Sequence, residues 1–359
     1  MQVVVFTGGG TVGHVAPGIA VAVALVQRAP ARLVWIGSKD GIERRFVEAL
    51  GWEYRAVPTG KLRRYLSWKN VTDLVRIAAG YFASRKVLKE LQPAFVFSKG
   101  GFVSVPAVWA AKGLHLPVYS HESDLDPGLA TRLNQSASRL IFVAYEKTRQ
   151  SFSAGLRDRV VVSGNPVRAE FFATAEPGLS QLFAVPAGVP VLVVLGGSQG
   201  ALQVNSLVQK VLPLLEGRVY VIHQTGENWQ PLPDTPWYAS RPFFRTEMPA
   251  LMQGASLVFG RSGAGTLWEA AACLVPLILL PLAEGSRGDQ VRNAEHFAAC
   301  GAAVVLAAEA TAEDLAHAVF AALEPARRGQ MQRALKAFGA REAATLIVEA
   351  LGASGSLHV

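Results

Sequence analysis

Two segments of this chain place a glycine-rich loop directly after an apolar strand, one in each half of the sequence. Residues 3–7 lead into the loop 8–13, and residues 191–195 lead into the loop 196–200. Glycines at such a turn let the backbone approach a ligand closely, and the following helix offers unpaired N–H groups and the positive end of its dipole. One such loop is a weak signal. Two of them predict two similar α/β domains that face each other across a cleft, and a reaction between two phosphate-bearing substrates.

The rest of the chain alternates strand-like and helix-like segments, the latter including 18–28, 71–91 and 205–214. Many strand-like segments are continuous apolar runs, which is typical of parallel strands buried on both faces. These runs are residues 33–37, 94–97, 117–120, 140–143 and 160–163 in the first half, and 191–195, 219–223, 256–259, 277–280 and 303–306 in the second. The alternation predicts doubly wound α/β folds with parallel sheets.

Length and composition favour two globular domains. The 359 residues suffice for two domains of ordinary size, and half of them are hydrophobic. Nothing at the amino terminus resembles a secretory signal, and the longest apolar run, 273–283, is far shorter than the roughly 20 residues that a membrane span needs. The apolar surroundings of Cys273 and Cys300 predict two buried thiols rather than a disulfide, as in a cytosolic protein. Trp35 and Trp109 lie in apolar runs, so we expect both in the core.

Charge is distributed unevenly between the two halves. Residues 1–164 carry 22 Lys and Arg against 11 Asp and Glu, whereas residues 165–359 carry 13 against 16. A basic amino-terminal half implies that this half meets an anionic surface. Its densest basic stretch, 61–69, interleaves cations with apolar side chains, as peripheral segments on acidic lipid do. The membrane contacts predicted there are Arg63, Arg64, Tyr65, Leu66 and Trp68.

Two other interpretations of the basic stretch stay open. It can be a solvated surface loop that meets no partner. It can also contact nucleic acid, but the chain has no recognised nucleic-acid motif, so we expect no nucleic-acid partner.

Small and polar residues cluster where parallel sheets bind ligands, beyond the carboxyl ends of strands. Residues 98–102 and 121–124 each follow a strand in the first half. In the second half, residues 260–266 form a small-residue turn that suits a diphosphate at a helix N-terminus. The carboxylate of Glu269, one turn into that helix, can accept hydrogen bonds from both hydroxyls of a ribose. The adjacent Asp289 and Gln290 form an acid–amide pair that can read vicinal sugar hydroxyls.

Six short motifs occur together in the order found in one known family. They are residues 8–17 (GGGTVGHVAP), 98–101 (SKGG), 121–123 (HES) with 127–129 (PGL), 164–168 (GNPVR), 196–201 (GGSQGA) and 261–264 (RSGA). As a set they resemble the MurG family, the bacterial N-acetylglucosaminyltransferases that convert lipid I to lipid II in peptidoglycan synthesis. The resemblance spans roughly residues 3–300.

This resemblance implies a GT-B fold of two Rossmann-like domains. It assigns residues 1–164 to an acceptor-binding, membrane-facing domain, onto which residues 340–359 cross back, and residues 165–339 to a donor domain. The implied reaction transfers GlcNAc, with inversion, from UDP-GlcNAc to the C4 hydroxyl of the N-acetylmuramic acid of lipid I. The resemblance also implies a peripheral protein on the cytoplasmic face of the bacterial membrane, with roles in cell wall synthesis, cell shape and cell division, and no cofactor.

Roles for individual residues follow from the same resemblance. Glu269 matches the family's ribose ligand, and Asp289 with Gln290 matches the positions that read GlcNAc hydroxyls. Uracil would be held largely by main-chain groups near Phe244 and Arg245. The donor's phosphates and sugar would be contacted by Arg168, Ser198, Gln199, Ala264, Gly265 and Thr266. The acceptor would be bound by Gly9, Gly10, Thr11, Gly13, Gly100, Gly101 and Asp124.

Two residues are candidates for the general base that takes the proton of the acceptor hydroxyl. His14 is the first choice, because a neutral imidazole suits proton abstraction near neutral pH. Glu122 is the second, as the base or as the group that orients the acceptor. In the alternative interpretations, His14 only braces its loop and binds acceptor phosphate, and Glu122 is a buried structural carboxylate. With no pair of carboxylates that suggests a metal site, we expect Arg168, backbone amides and helix dipoles to stabilise the leaving UDP without a metal.

The sequence departs from the family's pattern at three positions. Val12 replaces a glycine, Asp124 replaces an asparagine and Asp289 replaces a glutamine. These departures leave open a UDP-sugar enzyme of the same fold that glycosylates another lipid or a small molecule. Two further hypotheses are a hydrolysing or epimerising relative and a non-catalytic membrane-bound scaffold that binds nucleotide.

Overall fold

The chain folds into two compact α/β units. In this computed structural model, which describes residues 1–60, 68–197, 200–283 and 288–357, the first unit comprises Met1–Arg168 with Glu342–Val359 and the second comprises Ala169–Arg341. No helix within these described ranges is both long enough and apolar enough to cross a membrane.

A seven-stranded parallel sheet forms the centre of the first unit, with the strand order β3-β2-β1-β4-β5-β6-β7. Its strands are β1 (Gln2–Thr7), β2 (Ala31–Ser38), β3 (Glu53–Val57), β4 (Phe95–Ser98), β5 (Val118–Glu122), β6 (Leu140–Val143) and β7 (Val160–Val162). Its helices are α1 (Ala16–Arg28), α2 (Ile42–Ala49), α3 (Trp68–Leu91), α4 (Ser104–Gly113), α5 (Leu129–Asn134), α6 (Glu146–Arg149) and α7 (Ala154–Arg157), with a 3-10 turn at Val12–His14.

The second unit repeats this architecture with six parallel strands in the order β10-β9-β8-β11-β12-β13. Its strands are β8 (Val191–Leu195), β9 (Tyr220–Gln224), β10 (Tyr238–Arg241), β11 (Leu257–Gly260), β12 (Leu277–Leu279) and β13 (Ala303–Val305). Its helices are α8 (Leu179–Leu182), α9 (Leu202–Leu215), α10 (Met248–Gly254), α11 (Ala264–Cys273), α12 (Asp289–Ala299), α13 (Ala312–Leu323) and α14 (Pro325–Lys336), with a 3-10 turn at Ala169–Phe171.

The two sheets confirm the prediction that the apolar runs form parallel strands, but two strands were not predicted. Both β3 and β10 lie at an edge of their sheet. Most of β3 is only partly buried, and its residues 53–56 include Glu53 and Arg55, which pair with each other. A strand that is paired on one side tolerates polar side chains, so it lacks the continuous apolar pattern that marks a central strand.

Two predictions about burial were wrong. Cys273 and Cys300 are free thiols as expected, but Cys300 is exposed and Cys273 only partly buried. Trp35 lies in the core, whereas Trp109 on α4 is 37% exposed and its indole N–H donates to the carbonyl of Leu133. An apolar run within a helix does not reveal which of its residues faces the sheet, because a helix turns every residue to a different direction.

The last helix, α15 (Ala343–Ala353), packs on the first unit although it follows the second in sequence. Ile347 and Leu351 are fully buried in the same core cluster as strands β1, β4 and β6. Beyond the helix, the hydroxyl of Tyr119 lies 2.6 Å from the hydroxyls of both Ser354 and Ser356. These contacts complete one face of the first sheet with residues from the far end of the chain.

Because α15 fills the core of the first unit, truncating its buried side should destabilise that unit. We expect Ile347→Ala to lower the free energy of unfolding by about 2–5 kcal/mol, through lost burial and the cavity it leaves. The neighbouring Leu346, which is 42% exposed, serves as the control, and Leu346→Ala should change it by less than about 0.5 kcal/mol. Urea unfolding of both variants tests this expectation, and equal losses would contradict it.

Candidate active site

Three loops meet at the carboxyl ends of β1, β4 and β5 in the first unit. We call residues 8–14, 98–102 and 121–124 the amino-terminal site. β1 and β4 are neighbours at the point where the strand order reverses, which is where ligands bind in sheets of this kind. A Cβ added to Gly101, whose φ is +72°, would lie 2.4 Å from the carbonyl oxygen of Gly9. Glycine at this position therefore lets the first two loops pack backbone against backbone.

His14 lies between these two glycine loops. Its Nδ1 is 2.8 Å from Oγ1 of Thr11, and a Cβ on Gly101 would come within 3.3 Å of the ring. Burial within the loops, reinforced by the charge of Lys99, lowers the pKa of His14 to about 4 against the opposing effect of Glu122. The imidazole is therefore neutral at pH 7. When Nδ1 carries the hydrogen and donates to Thr11, Nε2 keeps a lone pair that can accept a proton.

Glu122, the second candidate base, is buried and accepts four hydrogen bonds. Oε1 accepts from the backbone N–H groups of Ser123, at 2.9 Å, and Asp124, at 3.1 Å. Oε2 accepts from the N–H of Gly128, at 2.9 Å, and the hydroxyl of Thr131, at 2.6 Å. Four donors occupy the lone pairs of both oxygens, so this geometry favours the interpretation of Glu122 as the carboxylate that shapes residues 123–131.

Glu43 is a buried carboxylate of this site that sequence reasoning missed. One oxygen accepts the backbone N–H of Gly10 at 3.0 Å, and the other accepts both the N–H, at 2.9 Å, and the hydroxyl of Ser38. A Cβ on Gly9 would lie 2.4–2.7 Å from this carboxyl group. Through these hydrogen bonds Glu43 fixes the conformation of the first glycine loop. Its only sequence signal is its place at the start of α2.

The motif at residues 164–168 is tied to the amino-terminal site through β5. Nε2 of His121 donates to the carbonyl of Gly164 at 2.9 Å, and the hydroxyl of Ser123 donates to Oδ1 of Asn165. His121 is buried, and burial lowers its pKa well below the ordinary value, so the ring is neutral. Arg168 follows at the end of the first unit and is partly buried.

In the second unit, segments that follow β8, β11 and β12 form what we call the carboxy-terminal site, comprising residues 196, 197, 200, 201, 261–266 and 289–290. Gly197 and Gly200 have φ values of +90° and +77°. A Cβ on Gly200 would lie 2.4 Å from the carbonyl oxygen of Thr225, so this turn also requires a close backbone approach. Ser198 and Gln199, predicted to contact the donor, lie outside the described residues.

Helix α11 points its N-terminus into this site. Ala264, Gly265 and Thr266 occupy its first turn, where backbone N–H groups have no partner within the helix. A Cβ on Gly263 or Gly265 would meet nothing within 4 Å, so there is open space at this helix end. Glu269, one turn further along, is partly exposed. Of the predicted donor contacts, Ala264, Gly265, Thr266 and Glu269 thus lie together on one short helix.

Arg261 is a second residue that the predictions did not assign. Its guanidinium is largely buried and donates to the carbonyl of Leu280 at 2.7 Å and to the side-chain oxygen of Gln203 at 3.0 Å. These bonds connect the segments that follow β8, β11 and β12. Burial lowers the pKa of Arg261 from its ordinary value, but a guanidinium stays charged at any physiological pH.

Asp289 and Gln290 open α12, and each already makes contacts within the protein. Asp289 pairs with Arg292 at 2.6 Å. The side-chain oxygen of Gln290 accepts the N–H of Leu282 at 3.0 Å, and its backbone carbonyl accepts the hydroxyl of Ser262 at 2.7 Å. Gln290 therefore fixes the 261–266 loop against the start of α12.

The ring of Phe244 is not available to stack on a base. It is buried, with its edge toward the ring of Phe183 at 5.9 Å between centroids. The N–H of Phe244 donates to Gln224 at 3.0 Å, and the N–H of Arg245 donates to Glu247 at 3.0 Å. Main-chain carbonyl oxygens remain as the groups that could face a uracil here.

The predicted membrane contacts are not among the side chains that the structure describes. Arg63, Arg64, Tyr65 and Leu66 lie outside the described residues, and so does the side chain of Trp68. Among the residues that the structure describes, no group of three or more His, Cys, Asp and Glu side chains is arranged to hold a metal ion.

Comparison with known proteins places this architecture in a defined class. Residues 4–143 match the glycosyltransferase family 28 N-terminal domain, and residues 191–347 match the glycosyltransferase family 28 C-terminal domain. Two Rossmann-like domains of this kind, each with a glycine loop after its central strand, define a glycosyltransferase of the GT-B fold. The chain belongs to glycosyltransferase family 28 and, within it, to the MurG family.

Two curated relatives share this family assignment. A Treponema denticola protein is 43% identical over 337 residues, which cover 88% of this chain and 86% of the relative. A Shouchella clausii protein is 38% identical over 312 residues, covering 86% of this chain and 87% of the relative. Both are named UDP-N-acetylglucosamine--N-acetylmuramyl-(pentapeptide) pyrophosphoryl-undecaprenol N-acetylglucosamine transferase.

Solved structures show the same fold at lower identity. Acinetobacter baumannii MurG aligns with a TM-score of 0.74 and 22% identity over 98% of this chain and 99% of that one. A UDP-GlcNAc 2-epimerase from Neisseria meningitidis aligns with a TM-score of 0.70 and 16% identity, over 98% and 99% of the two chains. At such identities the likeness concerns the fold alone.

If Glu43 holds the first glycine loop, an amide in its place should loosen that loop. In Glu43→Gln, the amide NH₂ would face an N–H or hydroxyl donor, so we expect the free energy of unfolding to fall by about 1–3 kcal/mol. Glu48→Gln on the same helix is the control, because its pair with Arg44 is exposed and should contribute less than about 0.5 kcal/mol. Urea unfolding compares the two, and a Glu43→Gln variant as stable as Glu48→Gln would refute this role.

Proposed function

We propose that this protein transfers GlcNAc from UDP-GlcNAc, with inversion, to the C4 hydroxyl of the N-acetylmuramic acid of lipid I and so forms lipid II. The observation that carries this proposal is the 43% identity, over 88% of the chain, to a relative named for that activity. Each unit also carries a glycine loop of the kind that binds a phosphate-bearing substrate.

The donor would bind the carboxy-terminal site. The first turn of α11 offers the N–H groups of Ala264, Gly265 and Thr266 to the diphosphate, and Glu269 lies within the same helix to accept the ribose hydroxyls. The main-chain carbonyls near Phe244 would accept the N3–H of uracil. Gln290, whose side-chain oxygen accepts the N–H of Leu282, would offer its amide NH₂ to a sugar hydroxyl.

The acceptor would bind the amino-terminal site, where glycine loops leave room for a diphosphate. His14 is the general base in this proposal. It is neutral at pH 7, and its Nδ1 is oriented by Thr11, so Nε2 is free to take the proton of the C4 hydroxyl as that oxygen attacks C1 of GlcNAc. Glu122, saturated by four donors, would set the shape of the loop that flanks the acceptor.

Leaving-group stabilisation would come from fixed positive groups rather than a metal ion. The diphosphate of UDP gains negative charge as the bond to C1 breaks, and an N-terminal helix dipole with unpaired N–H groups stabilises such charge without reorganisation. Helix α11 supplies this end, and Arg168 and the fixed charge of Arg261 would add to it.

The function is tested by incubating the protein with labelled UDP-GlcNAc and a short-chain lipid I analogue in the presence of EDTA. We expect disaccharide-lipid from the wild type, and a loss of kcat on the order of 10²–10⁴-fold in His14→Ala, which removes the general base. Glu269→Ala should mainly raise the KM for UDP-GlcNAc. Release of UDP or formation of an epimer without disaccharide-lipid would refute the proposal, and product with a different acceptor would redirect it to that acceptor.

The pH dependence gives a separate test of His14. Because its pKa is lowered to about 4 from the ordinary 6.5, its neutral form persists as pH falls from 8 and is lost only as pH passes through about 4. We therefore expect kcat/KM for the acceptor to hold down to about pH 5 and to decline below it. Measurement over pH 4–8 with a stability control at each pH checks this, and an acidic limb near 6.5 would contradict it.

We also propose that the first unit lies on the anionic inner face of the cytoplasmic membrane. Helix α3 exposes an apolar stripe that includes Leu74, Val75 and Phe82, and the cations Arg76 and Lys86 lie beside it. Apolar side chains flanked by cations suit insertion into an acidic lipid interface. Trp109, exposed on the adjacent α4, is an interfacial side chain of the same unit.

Vesicle binding tests this membrane face with two matched variants. Phe82 on α3 and Leu202 on α9 of the second unit are each 69% exposed. Phe82→Ser should weaken binding to vesicles containing phosphatidylglycerol by about tenfold, because it removes one inserted apolar side chain. Leu202→Ser should leave binding unchanged. Equal effects of the two substitutions, or equal binding to neutral vesicles, would rule out this face.

A further inference from the structure

Lys99 is a buried lysine at the centre of the amino-terminal site, and the mechanism proposed above does not use it. It directly follows β4, and only 2% of the residue is exposed. Its Cβ lies between the first glycine loop and α1, since Cβ atoms on Gly8 and Gly18 would lie 3.0 Å and 3.6 Å from it. Among the described residues, no hydrogen-bond or ion-pair acceptor contacts its ammonium group.

The ammonium of Lys99 interacts electrostatically with titratable groups on two sides of the amino-terminal site. Glu122 and Asp124 raise its pKa while burial lowers it, and its own charge lowers the pKa values of both His14 and His121. Its field is therefore felt on both sides of the site. Glu122 does not bond it directly, because the four donors of residues 123–131 already occupy that carboxylate.

Backbone groups beside Lys99 add further positive character. The N–H groups of Gly101 and Phe102 have no acceptor among the residues that the structure describes, and they precede the N-terminus of α4. The 13-residue helix α1 also begins at this edge of the sheet. A cation without a bonded partner, free N–H groups and two helix N-termini at one place are what an anion needs.

We propose that Lys99 binds the diphosphate that links the acceptor sugar to its lipid. This inference rests on the proposed function, in which that diphosphate lies on the glycine loops, and it adds the side chain that supplies the charge. The glycine loops provide N–H donors and space but no full charge of their own. A bound diphosphate would place negative charge directly against the buried ammonium, which the more distant Glu122 and Asp124 only favour from outside bonding distance.

A different role for Lys99, as no more than a distant counter-charge to Glu122, makes another prediction. In that case its removal would affect folding and the shape of residues 123–131, but not the affinity for a diphosphate in a variant that remains folded. Binding and kinetic constants for the two substrates therefore separate the two roles.

The test compares Lys99→Met, Lys99→Gln and Lys99→Arg with Lys112→Met, an exposed lysine on α4 whose ammonium contacts Ser136. Steady-state kinetics with the lipid I analogue and UDP-GlcNAc should show the KM for the acceptor raised about tenfold or more in Lys99→Met, because one charge-assisted contact is lost. The KM for UDP-GlcNAc should stay within about twofold, and Lys99→Arg should retain much of the acceptor affinity. Lys112→Met should match the wild type.

A second arm needs no turnover. With UDP at saturation to occupy the second unit, titration calorimetry with inorganic pyrophosphate should show binding to the wild type, and about tenfold weaker binding to Lys99→Met and Lys99→Gln. If the wild type forms no disaccharide-lipid, the proposed function fails while this arm still tests Lys99.

Three outcomes would overturn the proposal. Folded Lys99→Met or Lys99→Gln with unchanged acceptor KM and unchanged pyrophosphate affinity would leave Lys99 as a counter-charge. Weaker binding of pyrophosphate with unchanged acceptor KM would mean that Lys99 binds free phosphate and not the acceptor. An equal rise in both substrates' KM values would mean a general structural effect. Thermal unfolding of each variant establishes that it is folded, and Lys99→Gln replaces Lys99→Met if the latter is not.

Discussion

The contact between two glycine backbones is the constraint on which the amino-terminal site depends. Gly9 and Gly101 approach so closely that a single Cβ would collide, and His14 is enclosed by the same two loops. Glu43 stabilises this close approach, because its carboxylate accepts a hydrogen bond from the N–H of Gly10. Because the loops follow adjacent parallel strands at the point of reversed strand order, the sheet itself brings them to this distance.

Buried charge in both units is balanced mainly by hydrogen bonds rather than by short ion pairs. Glu43 and Glu122 are surrounded by backbone N–H groups and hydroxyls, and Arg261 by a carbonyl and an amide oxygen. Charges held in this way keep their orientation, because backbone donors cannot rotate away as a long side chain can. A charge-assisted hydrogen bond is also stronger than a neutral one, which offsets part of the cost of taking the charged group out of water.

Much of the fold could be predicted from the sequence. The central strands are apolar runs because both of their faces are buried, and the glycine loops were recognised because their residue types are confined to close turns. Edge strands β3 and β10 gave no such pattern, and Trp109 was assigned to the core although it is exposed. Glu43 was missed, and Arg261 was given no role although it lies in the 261–264 motif, for a different reason. A single Glu or Arg in a helix start or a loop is ordinary in sequence, and only its burial makes it unusual.

The sequence by itself determined the parallel α/β class, the two glycine loops, the motifs that carry the family resemblance and the basic character of the first half. Those features depend on local composition and on the order of residues along the chain. Only the tertiary structure decided that Glu122 is saturated by four donors, that Glu43 bonds the first glycine loop, and that Lys99 is buried with no bonded partner among the described residues. Burial and hydrogen-bond partners arise from residues distant in sequence, because sheet packing determines which side chains meet and which lose contact with water.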